Sequence, residues 1–174
     1  DRVVIEAFNN RLTQSMPAAR GRRSLWRVFD FLGKLEPTGS SDLAQSLRTF
    51  SLKSSGKGIV VVLSDFMDKG GYEEALRYLI ARQMDVYAIQ ILSQEEIEPD
   101  VTGDLRLTDV EDDDTAEVTV SAALLKRYKQ NLDAYRAAFH AFCTRRGVSC
   151  LFTSNQVPFD RLVLTYLRQR GLVR

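Results

Sequence analysis

Five consecutive apolar, mostly β-branched residues, Ile59-Val60-Val61-Val62-Leu63, constrain this chain more than any other feature. Gly58 precedes the run and Ser64-Asp65 closes it. A run of that length and composition is too short for a buried helix and suits a strand of a parallel sheet covered on both faces. The polar stretch Ser64–Gly71 leads into a helical pattern at about 72–82, and a second apolar strand follows at Val86–Leu92. Strand, helix and parallel strand in that order define an α/β fold with a mainly parallel, Rossmann-like sheet and flanking helices.

The flanking segments extend the pattern. Val3–Phe8 reads as a strand with one face or edge meeting water, because Glu6 interrupts it. Residues 9–20 read as a loop with a short strand around Leu12. From Ser24, residues Leu25, Val28, Phe29 and Leu32 recur at helical spacing, with Gly33 placed to end the helix. Trp26, Phe29 and Phe31, with Arg27 alone among them, lack the basic interleaving of a nucleic-acid platform and are expected to pack. After the turn Pro37–Ser41, Ser41 or Asp42 caps a helix whose buried stripe is Leu43, Leu47 and Phe50. Alternation at Leu105, Leu107, Val118 and Val120 predicts an inserted β-hairpin near 104–120, with Glu111–Asp114 as a solvated acidic tip. A long helix at about 121–146, a strand at Val148–Thr153 and a helix opening at Pro158 complete the chain; Leu162, Val163, Tyr166 and Leu167 form that last helix's buried side and Gly171 its end. The length suits one domain, residues 1–174.

Composition narrows the function classes. With 44% apolar residues and 24 Lys+Arg against 23 Asp+Glu, disorder is disfavoured and no global charge calls for nucleic acid. The cysteines, Cys143 and Cys150, lack zinc or redox spacing and read as packed thiols in a reducing, cytoplasmic protein. No apolar run approaches the ~20 residues that cross a bilayer. His140, the single histidine, has no argued nucleophile or acid beside it and reads as structural. Arg20, Arg22 and Arg23 read as a solvated loop, with a phosphate or partner contact as the alternative. Gly56-Lys57-Gly58 precedes a strand, the wrong context for a phosphate loop.

In an open parallel sheet, ligands gather beyond the carboxyl ends of the strands, where Asp65 stands. Ser64 and the loop hydroxyls of Thr38, Ser40 and Ser41 share that rim, and carboxylate plus hydroxyl oxygens suit a hard cation such as Mg²⁺. The alternative is that Asp65 only caps the turn that follows it.

Several stretches carry a family resemblance. Asp1-Arg2-Val3-Val4 through Phe8, Gly21-Arg22-Arg23-Ser24-Leu25, Gly39-Ser40-Ser41-Asp42-Leu43, Val60-Val61-Val62-Leu63-Ser64-Asp65-Phe66, and Pro158-Phe159-Asp160 through Arg170-Gly171-Leu172 occur in that order. Together they resemble the C-terminal part of a von Willebrand factor A-like domain, and more narrowly domain-of-unknown-function family 58, often encoded beside MoxR-type AAA+ ATPases in bacteria. The resemblance implies a metal-ion-dependent adhesion site, in which Ser41 is the second-loop hydroxyl and Asp65 the third-loop carboxylate. An open position on the Mg²⁺ would take a carboxylate from a partner protein, in a MoxR-type ATPase system.

The family's Asp-x-Ser-x-Ser loop does not occur in these residues. In the family it follows a central strand, which would lie before Asp1, so the chain is expected to be N-terminally truncated. Little or no metal is then expected on this chain alone. The edges of Val3–Phe8 and Ile59–Leu63 are expected to stand open and to invite a dimer or a strand swap. The leading expectation is a non-enzymatic protein-interaction module. The alternative is a Mg²⁺-dependent hydrolase or phosphotransfer enzyme using Asp65 and Asp68.

Overall fold

A computed structural model describes residues 2–37, 39–54, 57–108, 114–162 and 168. The fold is mixed α/β. Its centre is a three-stranded parallel sheet of order β3-β4-β7, built from β3 (Ile59–Ser64), β4 (Asp85–Leu92) and β7 (Ser149–Ser154). Register runs from Ile59 opposite Asp85 to Ser64 opposite Gln90, and from Tyr87 opposite Ser149 to Leu92 opposite Ser154. Two antiparallel pairs stand apart from it: β1 (Arg2–Phe8) with β2 (Leu12–Arg20), and β5 (Gly103–Thr108) with β6 (Thr115–Val120). The second pair is the hairpin expected near 104–120; its tip residues Glu111–Asp113 lie outside the described residues.

The helices are α1 (Leu25–Gly33), α2 (Leu43–Lys53), α3 (Glu73–Ala81), the single turn α4 (Gln94–Ile97), α5 (Ala122–Arg145) and the short α6 (Phe159–Leu162). Each long helix begins or packs where its sequence dictates. Asp42 caps α2 by accepting from Gln45 N at 2.8 Å, and Ser121 caps α5 by accepting from Leu124 N at 3.2 Å. Apolar stripes of α2 (Leu43, Leu47), α3 (Ala75, Leu76, Leu79) and α5 (Phe139, Phe142, Cys143) close over one sheet face, where Val62, Val86 and Ala88 meet them. The buried side expected for the last helix, beyond Leu162, lies outside the described residues, as do Thr38 and Gly171.

Three expectations are corrected. β3 is not covered on both faces: Val62 is buried, but Ile59, Val61 and Leu63 are 57, 42 and 58% exposed. Among the described residues β3 pairs only with β4 and is an edge strand of this sheet, and its run of two-sided apolarity says nothing about which neighbours are present. The short strand expected around Leu12 is the start of a nine-residue strand, Leu12–Arg20, that takes in what was expected to be loop. Its length was hidden because Pro17 sits in it; the register steps from Val3 opposite Ala19 to Ile5 opposite Met16, so Pro17 falls in a bulge, where proline is tolerated. Finally, α1 does not bury its aromatic face. Trp26 and Phe29 are 66 and 69% exposed, on a helix that rests mainly on β2.

Candidate functional site

The sheet ends at Ser64, and the five residues that follow are fastened atom by atom. Ser64 Oγ accepts from Phe66 N at 2.9 Å, and Asp65 Oδ1 accepts from Met67 N at 2.9 Å and from the Ser64 hydroxyl at 3.3 Å. These bonds turn the chain so sharply that Phe66 takes φ +59, a left-handed conformation uncommon for an aromatic residue. Packing holds it there. Phe66 is fully buried, its ring lies 4.6 Å from that of Phe139, and its carbonyl accepts from the Tyr135 hydroxyl. Gln90, a buried amide in β4, donates to Asp65 O at 2.8 Å. A strained residue pinned on every side is how a fold presents a loop in one geometry.

Asp68 extends the arrangement sideways. Its Oδ1 accepts from Gly70 N at 2.7 Å and its Oδ2 from Leu43 N at 3.0 Å, at the start of α2. The carboxylate thus satisfies a free N–H at the helix N-terminus, where negative charge is favoured. The β1–β2 turn joins from the other side, since Asn9 O accepts from Asp42 N at 3.0 Å and from the Ser46 hydroxyl at 3.3 Å. Three loops therefore meet at one rim: the β1–β2 turn, the approach to α2 with exposed Ser41, and the loop after β3 with exposed Asp65. Beside them opens a groove of about 770 Å³, walled by Asp68, Lys69, Tyr72, Arg77, Tyr128 and Tyr135.

Charge in this region is balanced locally. Glu73 pairs with Arg77 at 3.1 Å, and Glu74 accepts from the Tyr78 hydroxyl at 2.7 Å. Burial, with further contributions from Tyr72, Asp65 and Asp68, pushes the Tyr135 phenol up to about 12. It therefore remains a proton donor to Phe66 O across the physiological range. Burial also raises Tyr72, with neighbouring Glu73 adding to it.

The two residues expected as metal ligands, Ser41 and Asp65, reach the same rim through the Asp68–Leu43 brace. Their oxygens are the right chemistry for Mg²⁺, but one oxygen of Asp65 already accepts two hydrogen bonds. Among the described residues no group of three or more His, Cys, Asp or Glu side chains converges on a metal position. Asp68, expected as a partner in the enzyme alternative, uses both carboxylate oxygens on backbone N–H groups. Arg20, Arg22 and Arg23 are exposed around the turn before α1, and His140 lies exposed on α5, away from the rim loops. Sequence reasoning missed Asn9, Gln90 and Tyr135. Of these only Gln90 left a signal, as an amide flanked by Ile89 and Ile91 in a buried strand.

A parallel α/β core with a rigid loop rim at its strand ends is thus the class of protein defined. Comparison with known proteins gives the family. The profile described as "Protein of unknown function DUF58" matches residues 1–138, and the chain belongs to that family. An uncharacterized protein of Mycobacterium avium, MAV169, is 29% identical over 126 residues, covering 70% of this chain and 73% of the relative. The uncharacterized protein Rv1480 of Mycobacterium tuberculosis H37Rv is also 29% identical over 126 residues, but this match spans only 39% of that longer protein. Among solved structures, the conserved hypothetical protein BatB from Bacteroides thetaiotaomicron superposes with a TM-score of 0.54 at 9% identity, covering 99% of this chain and 80% of BatB. That likeness concerns the fold.

Proposed function

We propose that the chain is a von Willebrand factor A-like protein-interaction module that engages a partner protein at the rim carrying Ser41 and Asp65. The observation that carries this reading is the bracing of the loop after β3. Phe66 in a left-handed conformation, Gln90, Tyr135 and both oxygens of Asp68 fix a loop whose Phe66 anchors in the core while Asp65 and Met67 stay exposed at the surface. Rigidity of that kind suits recognition by a presented surface. The adjoining groove, with its tyrosines and mixed charges, resembles the aromatic, polar-rimmed surfaces that bind proteins.

In this reading Mg²⁺ contributes only when further ligands join Ser41 and Asp65 from outside these residues, and the partner then presents a carboxylate. A MoxR-type ATPase as working partner and a cytoplasmic location belong to the same proposal and rest on the family resemblance. No helix among the described residues is long and apolar enough to cross a membrane. Pairing with a second copy through β3 also belongs here, supported by its open edge and by exposed Ile59, Val61 and Leu63; a strictly monomeric sedimentation profile at high concentration counts against it. The enzyme alternative draws less support, because Asp68 is occupied in bracing the loop.

The test is a pull-down from the native host using the complete protein, with and without EDTA, in wild type and Asp65→Asn. Loss of the same partner under both conditions supports the metal-assisted reading. Retention of that partner under both refutes it. Phosphatase activity abolished by Asp65→Asn would restore the enzyme alternative.

A further inference from the structure

The face that α1 turns to water is apolar along its whole length. Leu25, Phe29 and Leu32 recur at helical spacing, Trp26 lies three residues before Phe29, and all four are exposed. Val28 and Phe31, at other angles around the helix, are half-buried. A ridge of two aromatic rings and two leucines is unfavourable in water and marks a surface that something else covers. Arginines gather at its N-terminal end. Arg20 closes β2, Gly21 takes φ +75, and a single 3₁₀ turn, Arg22–Ser24, runs straight into α1. The turn is fastened, since Ser24 N donates to Gly21 O at 3.1 Å and the Ser24 hydroxyl to Arg20 O at 2.9 Å. The β1–β2 register adds Arg2, directly opposite Arg20.

These charges do not serve the fold. Cations at a helix N-terminus oppose its dipole, and like charges facing each other across two strands destabilise the pair. Among the described residues no carboxylate forms an ion pair with Arg2, Arg20, Arg22 or Arg23. From Arg20 to Lys34 the cations are Arg20, Arg22, Arg23, Arg27 and Lys34, and the single acid, Asp30, is taken by Lys34 at 2.7 Å. What offsets both features at once is a surface that sets negative charge beside an apolar layer.

We propose that α1 and the turn before it dock the protein on a bilayer containing anionic lipid. The helix lies in the plane of the interface, with Leu25, Phe29 and Leu32 among the upper acyl chains and the Trp26 indole at the level of the headgroups. Arg20, Arg22 and Arg23 reach lipid phosphates, which their planar guanidinium groups bind in pairs of hydrogen bonds. Nine residues make a helix about 14 Å long, which lies on a bilayer and does not cross it. Shape favours lipid over a protein partner. The ridge is convex and comes from one helix, so a protein would need a groove matched to it, whereas acyl chains part around any protruding apolar side chain. The docking depends on neither the rim at Asp65 nor a metal there.

The test is flotation of the complete protein with vesicles of phosphatidylcholine alone or of phosphatidylcholine with phosphatidylglycerol. Wild type is expected to bind the anionic vesicles, to bind the neutral ones far less, and to be released as salt is raised. The double variant Trp26→Ala/Phe29→Ala is expected to weaken binding at least tenfold, and Arg22→Gln/Arg23→Gln about fivefold for each arginine removed. Brominated lipid is expected to quench tryptophan emission of the wild type, and Trp26→Phe to bind while losing that quenching. Wild type that binds neither vesicle, binds both equally, or binds as well after either double substitution overturns the proposal. A protein partner captured by wild type without vesicle binding, and lost in Trp26→Ala/Phe29→Ala, overturns it too and assigns the ridge to protein. The four apolar positions are exposed, so the far-ultraviolet circular dichroism of their variants is expected to match wild type; the wild-type vesicle and quenching results decide the matter even if a variant fails to fold.

Discussion

Phe66 lets the strain in the rim loop be measured by comparing two substitutions at one position. Its side chain is fully buried against Phe139, so truncation to alanine is expected to cost about 3–5 kcal/mol. That loss is a large share of the ~5–15 kcal/mol by which such domains are stable. Alanine would keep the burden of the left-handed backbone at φ +59, about 1–2 kcal/mol for a residue with a Cβ. Glycine removes that burden but adds about 0.5–1 kcal/mol of unfolded-state entropy. Both variants lose the ring equally, so the difference isolates the backbone. Phe66→Gly is expected to be more stable than Phe66→Ala by about 0.5–1 kcal/mol, the reverse of the usual order. Urea unfolding followed by circular dichroism, with equal m-values for the two variants, is the assay. A Phe66→Ala protein as stable as Phe66→Gly, or more so, would refute the claim that the loop holds a strained residue in place.

Tyr135→Phe removes the donor to Phe66 O and is expected to cost about 1 kcal/mol at neutral pH. The native phenol holds its proton up to about 12, above its ordinary value of 10. Its contribution is therefore complete below pH 10 and lost as pH rises through about 12, so wild-type stability should fall more steeply over that interval than the variant's. Asp68→Ala leaves Leu43 N and Gly70 N without acceptors and is expected to cost about 2–3 kcal/mol, measured by urea unfolding, with Asp68→Asn intermediate. Isothermal titration of this chain with Mg²⁺ or Mn²⁺ is expected to show no micromolar binding; such binding would overturn the view that Ser41 and Asp65 need further ligands.

Much of the fold is legible in residue order. The runs at 59–63 and 86–92, with the helical pattern between them, announce a parallel strand–helix–strand unit, and alternation around Leu105 and Val118 announces the hairpin. The length of β2 beyond Leu12 escaped notice because a bulge around Pro17 spoils its period, and periodicity is the main local signal of a strand. Asp65 was legible as a rim residue from its place after a strand. Asp68 was legible as an acid near the rim, but its role was not, because its partner Leu43 lies on a different element.

The sequence alone determined the elements, their order and the end of the sheet at which a site would form, because helix and strand periods are local properties of neighbouring residues. Only the tertiary structure decided what each polar group does. It set Gln90 under the Asp65 carbonyl, Tyr135 against Phe66 and Asp68 at the foot of α2. It also left Ile59, Val61 and Leu63 uncovered, although their run is as apolar as that of a buried strand. Such pairings are contacts between residues distant in the chain or across a chain reversal. No local pattern encodes them, and hydrogen bonds and burial fix them only when the elements pack.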